Sequence, residues 1–159
     1  GWLSDKLGGA PVTFWNFIVM VLAVFGGLYF LPSGASGGSF YGFLVMFMVL
    51  FITTGIGNGS TFRMIPVIFL IERTRAAQGR GPEAQGQALR DANKEGAAVL
   101  GFSSAIGAYG GFFIPKSYGT SIATTGGPEA ALYMFIVFYI TCIVMTWWYY
   151  ARKNAEMPC

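Results

Sequence analysis

The sequence predicts an all-α membrane protein with four transmembrane helices, and three observations carry that prediction. Four apolar runs each approach or exceed the ~18 to 20 residues that cross a hydrocarbon core about 30 Å thick. Of the 159 residues, 54% are hydrophobic, 17% aromatic and only 11% charged, a balance that cannot clothe a soluble surface. Nearly all Lys and Arg residues fall on one side of the bilayer once four spans alternate.

Residues 1–13 read as an interhelical loop, and the absence of an initiator Met or a signal peptide suggests a piece of a longer protein. The first span covers 14–32, is free of charge, holds one amide, Asn16, and ends at Pro32. The turn-rich Ser33-Gly34-Ala35-Ser36-Gly37-Gly38 follows as a short outer loop. The second span, 40–71, is interrupted only by Arg63 and exceeds one crossing, so it must tilt or project from the membrane. Residues 72–95 read as a solvated linker in which Gln87 to Lys94 can form a short surface helix. The third span is 96–115, the fourth 130–151, and a tail of 152–159 closes the chain.

Lys6, Arg73, Arg75, Arg80, Arg90, Lys94, Arg152 and Lys153 share one side and only Lys116 takes the other, which predicts cytoplasmic termini. The net charge of +3 is this topology signal and does not point to nucleic acid, because the basic residues are scattered and mixed with Glu72, Glu83, Asp91 and Glu95. The spans hold no Asp, Glu or His, so they offer no proton relay. A chain without His and without clustered ligands predicts no metal and no cofactor, and Ser and Thr without a base predict no catalytic residue. Cys142 and Cys159 read as free thiols.

Spans one and four are apolar around their circumference and read as outer scaffolding that faces lipid or braces other helices. Spans two and three collect the small and polar residues. In span two, Gly55, Asn58, Gly59 and Phe62 fall on one helical stripe. Such a stripe serves either close helix packing around a hydrogen-bonded Asn, or a small flat ligand stacked on the ring. In span three, Gly101, Ser104, Ala108 and Gly111 form one stripe, with Ser103, Gly107 and Gly110 on another. That many glycines lower helix propensity by up to about 1 kcal/mol each, which suggests backbone exposed to an anion or a helix that bends and slides. Arg63 reads as snorkelling to the inner interface, or as an anion-attracting gate residue. Lys116, after Pro115, reads as an interfacial anchor, with anion binding as the alternative.

Gly57-Asn58-Gly59-Ser60-Thr61-Phe62 and Ser103-Ser104-Ala105-Ile106-Gly107-Ala108-Tyr109-Gly110-Gly111-Phe112-Phe113-Ile114-Pro115-Lys116 closely resemble the nitrate/nitrite porters of the NarK type, a branch of the major facilitator superfamily. The opening Gly1-Trp2-Leu3-Ser4-Asp5-Lys6-Leu7-Gly8-Gly9 resembles the cytoplasmic loop motif of that superfamily. The resemblance implies a twelve-helix fold of which this chain supplies the loop before helix nine through helix twelve. It implies that Phe62 packs against the flat anion near Asn58, Gly101, Ser104, Gly107 and Tyr109. Gly55, Gly59, Gly110 and Gly111 would serve helix packing and motion. The family's two anion-binding arginines lie on helices two and eight, outside this chain, so Arg63 is not their counterpart.

The expected parent is therefore a nitrate and nitrite transporter of a bacterial inner membrane working by alternating access, with anion exchange favoured over proton coupling. Its partners would be the two anions, the lipid bilayer and the remaining helices of the parent. The alternative is a small four-helix membrane scaffold or subunit that transports nothing.

Overall fold

The computed structural model describes residues 6–32, 37–152 and 155. Gly1 to Asp5 of the opening motif, Ser33 to Ser36 of the first loop, Lys153 and Cys159 lie outside the described residues. The described residues form helices and turns without a strand: α1 Gly9–Phe30, α2 Phe40–Ala76, α3 Pro82–Ala108, α4 Gly110–Thr125 and α5 Glu129–Thr146, followed by a π-helical turn Trp147–Ala151. Four helical stretches, with α3 and α4 counted together, are long and apolar enough to cross a membrane. The chain is a multi-pass, all-α membrane protein.

Local chemistry sets the helix ends. The Ser39 N–H donates to the Phe30 carbonyl at 2.9 Å, while the Ser39 hydroxyl accepts from the Gly42 N–H at 3.3 Å and caps α2. Gly79 and Gly81 take φ of +80° and +89°, which allows the tight reversal into α3, and Pro82 and Glu83 suit its first turn. At the other end of the hairpin, Gly126 at φ +81° ends α4 and returns its N–H to the Ile122 carbonyl.

The helices run past the expected spans. The 72–95 segment is not an extended linker, because α2 continues to Ala76 and α3 begins at Pro82. Alanines and a glycine make this possible. Ala77, Ala88, Ala92 and Gly96 are buried, and a Cβ on Gly96 would sit 3.4 Å from Pro66 Cα. The exposed Arg73 guanidinium grips Glu95 through both carboxylate oxygens, with Nε to Oε2 at 2.8 Å. Helix also continues beyond Pro115 and Lys116 to Thr125, where span three was expected to end.

The core lies between α1, α2 and α5. Val24, Leu31, Leu132 and Ile136 are buried together, with Leu28, Phe43, Leu50 and Tyr139 packed around them. Of the two roles expected for span one, facing lipid or bracing other helices, α1 takes the second against α2 and α5. Within its apolar window α1 is 39% buried, the highest share of the four spans, and the 82–125 span has no buried residue in its window. Hydropathy does not separate these cases, since lipid tails and a packed helix accept the same side chains.

Candidate functional site

The Gly-rich segment of α2 presents two faces with opposite surroundings. Thr53, Gly57, Ser60 and Met64, spaced by three and four, turn toward α1. Ser60 and Thr13 share a 2.8 Å hydrogen bond between hydroxyls, and Ser60 also donates to the Gly57 carbonyl at 3.0 Å. Thr13 further reaches Met64 Sδ at 3.5 Å, while the buried Asn16 donates to Met20 Sδ at 3.6 Å. A Cβ on Gly57 would stand 2.7 Å from Asn16 Nδ2, so any larger residue here must push the buried Asn16 amide aside.

The second face carries the candidates named from the sequence. Gly55 has nothing within 4 Å of a built Cβ, and Asn58 and Phe62 are exposed. Gly59 and Arg63 are half-buried beside them. Across the hairpin, Gly101, Gly107 and Gly111 also face open space, and a Cβ on Gly110 would meet only Ile114 of its own helix, at 4.0 Å. Ser104 is exposed and donates to the Leu100 carbonyl at 2.7 Å, which leaves its oxygen lone pairs outward.

The two sets lie at matching depth. Antiparallel helices rise equally, ~1.5 Å per residue. Counted out from the contact of Gly96 with Pro66, Gly101 is level with Thr61, one residue from Phe62, Ser104 with Asn58, and Gly107 with Gly55. The candidates are therefore not gathered into one enclosed pocket of this chain. They form two stretches of wall, small-residued and uncovered, on adjacent helices.

Tyr109 stands where that wall is broken. It separates α3 from α4 with φ −63° and ψ −23°, and the N–H groups of Phe112 and Phe113 both donate to its carbonyl at 3.0 Å. Its exposed ring leaves the helix at the local interruption. The backbone at Tyr109 stays right-handed helical, so α3 and α4 follow on from one another as one helical stretch, Pro82–Thr125, with Gly107, Gly110 and Gly111 around the junction.

Sequence reasoning missed the polar contacts between α1 and α2. The signal was present, since Thr13, Asn16 and Met20 follow helical spacing in an otherwise apolar run. Ser60 and Gly57 stood in the quoted motif without being assigned to a face. An open groove of about 580 Å³ beside Asn16, lined by Leu7, Trp15, Val19 and Thr53, is part of the same neighbourhood. Among the described residues no cluster of His, Cys, Asp and Glu could hold a metal ion.

No family model matches the chain. The chain is 51% identical over 157 residues to the nitrate/nitrite transporter NarU of Salmonella typhimurium, covering 98% of this chain and 33% of that protein. It is 48% identical over 155 residues to NarU of Escherichia coli, covering 97% of the chain and 33% of the relative. A probable nitrate/nitrite antiporter of Thermus thermophilus, NarK2, is 34% identical over 160 residues, which is all of this chain and 31% of that protein. The chain thus spans about a third of the length of the curated relatives it matches. These relatives are transporters and not enzymes, and they agree with the resemblance carried by residues 57–62 and 103–116.

Proposed function

We propose, for a chain related along nearly its whole length to one third of the nitrate/nitrite transporters, that it forms one wall of an anion path in a nitrate/nitrite porter of the NarK type. The observation that carries this reading is the open face of α2 and α3. Phe62 and Asn58 stand at depths matched by Gly101 and Ser104, Gly107 lies about 5 Å further along, and among the described residues nothing comes within 4 Å of a Cβ placed on either glycine. Glycine on such a face is expensive for a helix, by roughly 1 kcal/mol each relative to Ala, unless room or motion is required.

A planar anion needs a flat slot, an aromatic surface and hydrogen-bond donors. Phe62 supplies the surface, the glycines supply the slot, and the Asn58 amide supplies a donor. The frame of α1, α2 and α5 stays packed while α3 and α4 bend near Tyr109, so one face of the path opens as the other closes. The principal positive charge comes from the rest of the parent protein. Arg63 stands one residue beyond Phe62, where it can draw anions to the inner mouth.

The parent exchanges nitrate for nitrite across a bacterial inner membrane, with both ends of this segment cytoplasmic. The charge pattern supports the orientation, since Arg73, Arg75, Arg80, Arg90 and Lys94 all lie around the α2 to α3 turn. The absence of Asp, Glu and His from the four expected spans supports exchange over proton coupling. Reconstitution of the full-length transporter tests this. Vesicles loaded with nitrite should take up external nitrate without a pH gradient, and empty vesicles should take up little. Uptake that requires a proton gradient would replace exchange by symport, and no uptake under either condition would leave the scaffold reading standing.

A further inference from the structure

Lys116 departs furthest from its expected place. At the outer end of a span that stopped at Pro115 it would be an interfacial anchor, but α4 continues to Thr125 before turning into α5. The ring of Tyr118 meets that of Phe135, with centroids 5.6 Å apart. Phe135 lies roughly 9 Å along α5 from Glu129, which puts Lys116, two residues earlier on the antiparallel helix, about 12 Å below the turn. The helical stretch Glu129–Ala151 is itself ~34 Å long, so Lys116 stands about a third of the way through it.

The direction of the side chain agrees. A snorkelling lysine would extend toward the turn at residues 126–128, yet Lys116 Nζ sits 5.5 Å from the centroid of Phe112, one helical turn further from that end. A cation at this depth needs an anion, a carboxylate or water, and none of the four expected spans contains Asp or Glu.

An open groove of about 360 Å³ runs past the residue between α4 and α5. Roughly a dozen water volumes fit such a space, ample for a small oxyanion. Three hydroxyls on its wall give their protons to carbonyl oxygens: Ser117 to Phe113 at 2.8 Å, Thr124 to Thr120 at 2.8 Å and Ser121 to Gly127 at 2.6 Å. The Lys116 ammonium and the hydroxyl of Thr120, one turn along, remain as donors toward the groove.

We propose that Lys116 is an anion-binding residue of the transport path, holding a small monovalent oxyanion with Thr120 in the half of the membrane nearer the turn at 126–128. The proposal rests on the transport reading above and adds a second station to it, away from Phe62 and Asn58. An anion entering from that side meets a fixed positive charge before it reaches the glycine-lined wall.

Nitrate uptake by vesicles containing the full-length transporter tests this, with Lys116→Gln, Lys116→Arg and the wild type compared at equal reconstituted amounts. Loss of one charge-assisted contact should raise the nitrate KM of Lys116→Gln about tenfold, while Lys116→Arg should stay within about threefold of the wild type. A mere interfacial anchor would change yield or thermal midpoint and leave KM alone. In wild-type vesicles a permeant amine-acylating reagent, read by mass spectrometry at Lys116, needs no substitution, and nitrate should slow its reaction saturably. Wild-type vesicles that take up no nitrate overturn the transport reading itself. Wild-type uptake with an unchanged KM in Lys116→Gln, or acylation indifferent to nitrate, overturns the Lys116 site alone.

Discussion

Glycine does opposite work in two regions of this molecule. Between α1 and α2, a Cβ on Gly57 would collide with Asn16 and one on Gly9 with the Met64 side chain, so the missing side chains are what bring the helices together. On α3 and α4, Gly101, Gly107 and Gly111 have nothing within 4 Å of a built Cβ. The first set is structural and the second faces the proposed anion path. Composition is the same in both, and only the neighbours differ.

That contrast makes substitutions act in opposite directions. The largest effect on stability belongs to Gly57→Leu, which forces a buried side chain against Asn16 and should destabilise the folded protein by about 1–3 kcal/mol or more. Thermal unfolding in detergent would read this as a lower midpoint, and an unchanged midpoint would dissolve the distinction between the two regions. Gly107→Ala should do the reverse, raising stability by about 0.5–1 kcal/mol, since it meets no neighbour and improves helix propensity.

A smaller effect is expected within the packed region. Thr13→Val, Ser60→Ala and their combination form a double-mutant cycle, and the 2.8 Å hydroxyl contact should give a coupling of about 0.6 kcal/mol. Zero coupling would mean that shape alone holds α1 against α2. In the open region, Phe62→Ala should weaken nitrate affinity severalfold in the full-length transporter, with a smaller loss of midpoint than a fully buried ring would give, because the ring is 39% exposed. The smallest effect belongs to Glu95→Gln. Arg73 and Glu95 form an exposed pair, and removing it should scarcely move the midpoint in physiological salt.

Much of the fold was legible in the sequence. Length and hydropathy pointed to four spans, and four helical stretches of the described residues are long and apolar enough to cross a membrane, where backbone groups must be satisfied within each helix. The α2 and α3 motifs were legible as special, and the relatives agree with the family they suggested. The faces were not legible. Gly55 and Gly57 look alike on paper, yet Gly57 meets Asn16 and Gly55, two residues earlier, meets nothing. Which side of a small-residue helix is covered depends on its partners, and periodicity cannot distinguish a packed stripe from an open one when both are small.

Two further readings turn on the same point. The apolar α1 could face lipid or brace other helices, and its Thr13 and Asn16 were the hint that it packs against protein. Pro115 and Lys116 looked like the end of a span, since proline often follows a helix and lysine often marks an interface. Inside a membrane helix, proline removes only one ladder hydrogen bond, and here the helix goes on for nearly three more turns to Thr125. Lys116 thus lies within a continuing helix and not at its end.

The most direct measurement of the central claim is nitrate uptake by reconstituted full-length transporter carrying Gly101→Leu, with its thermal midpoint taken in parallel. Among the described residues nothing lies within 4 Å of a Cβ at this position, and a leucine there intrudes on the proposed path beside Phe62. The account predicts a normally assembled protein, with a midpoint at or above that of the wild type, and uptake reduced to a small fraction. Uptake at the wild-type rate from equally stable protein would contradict it.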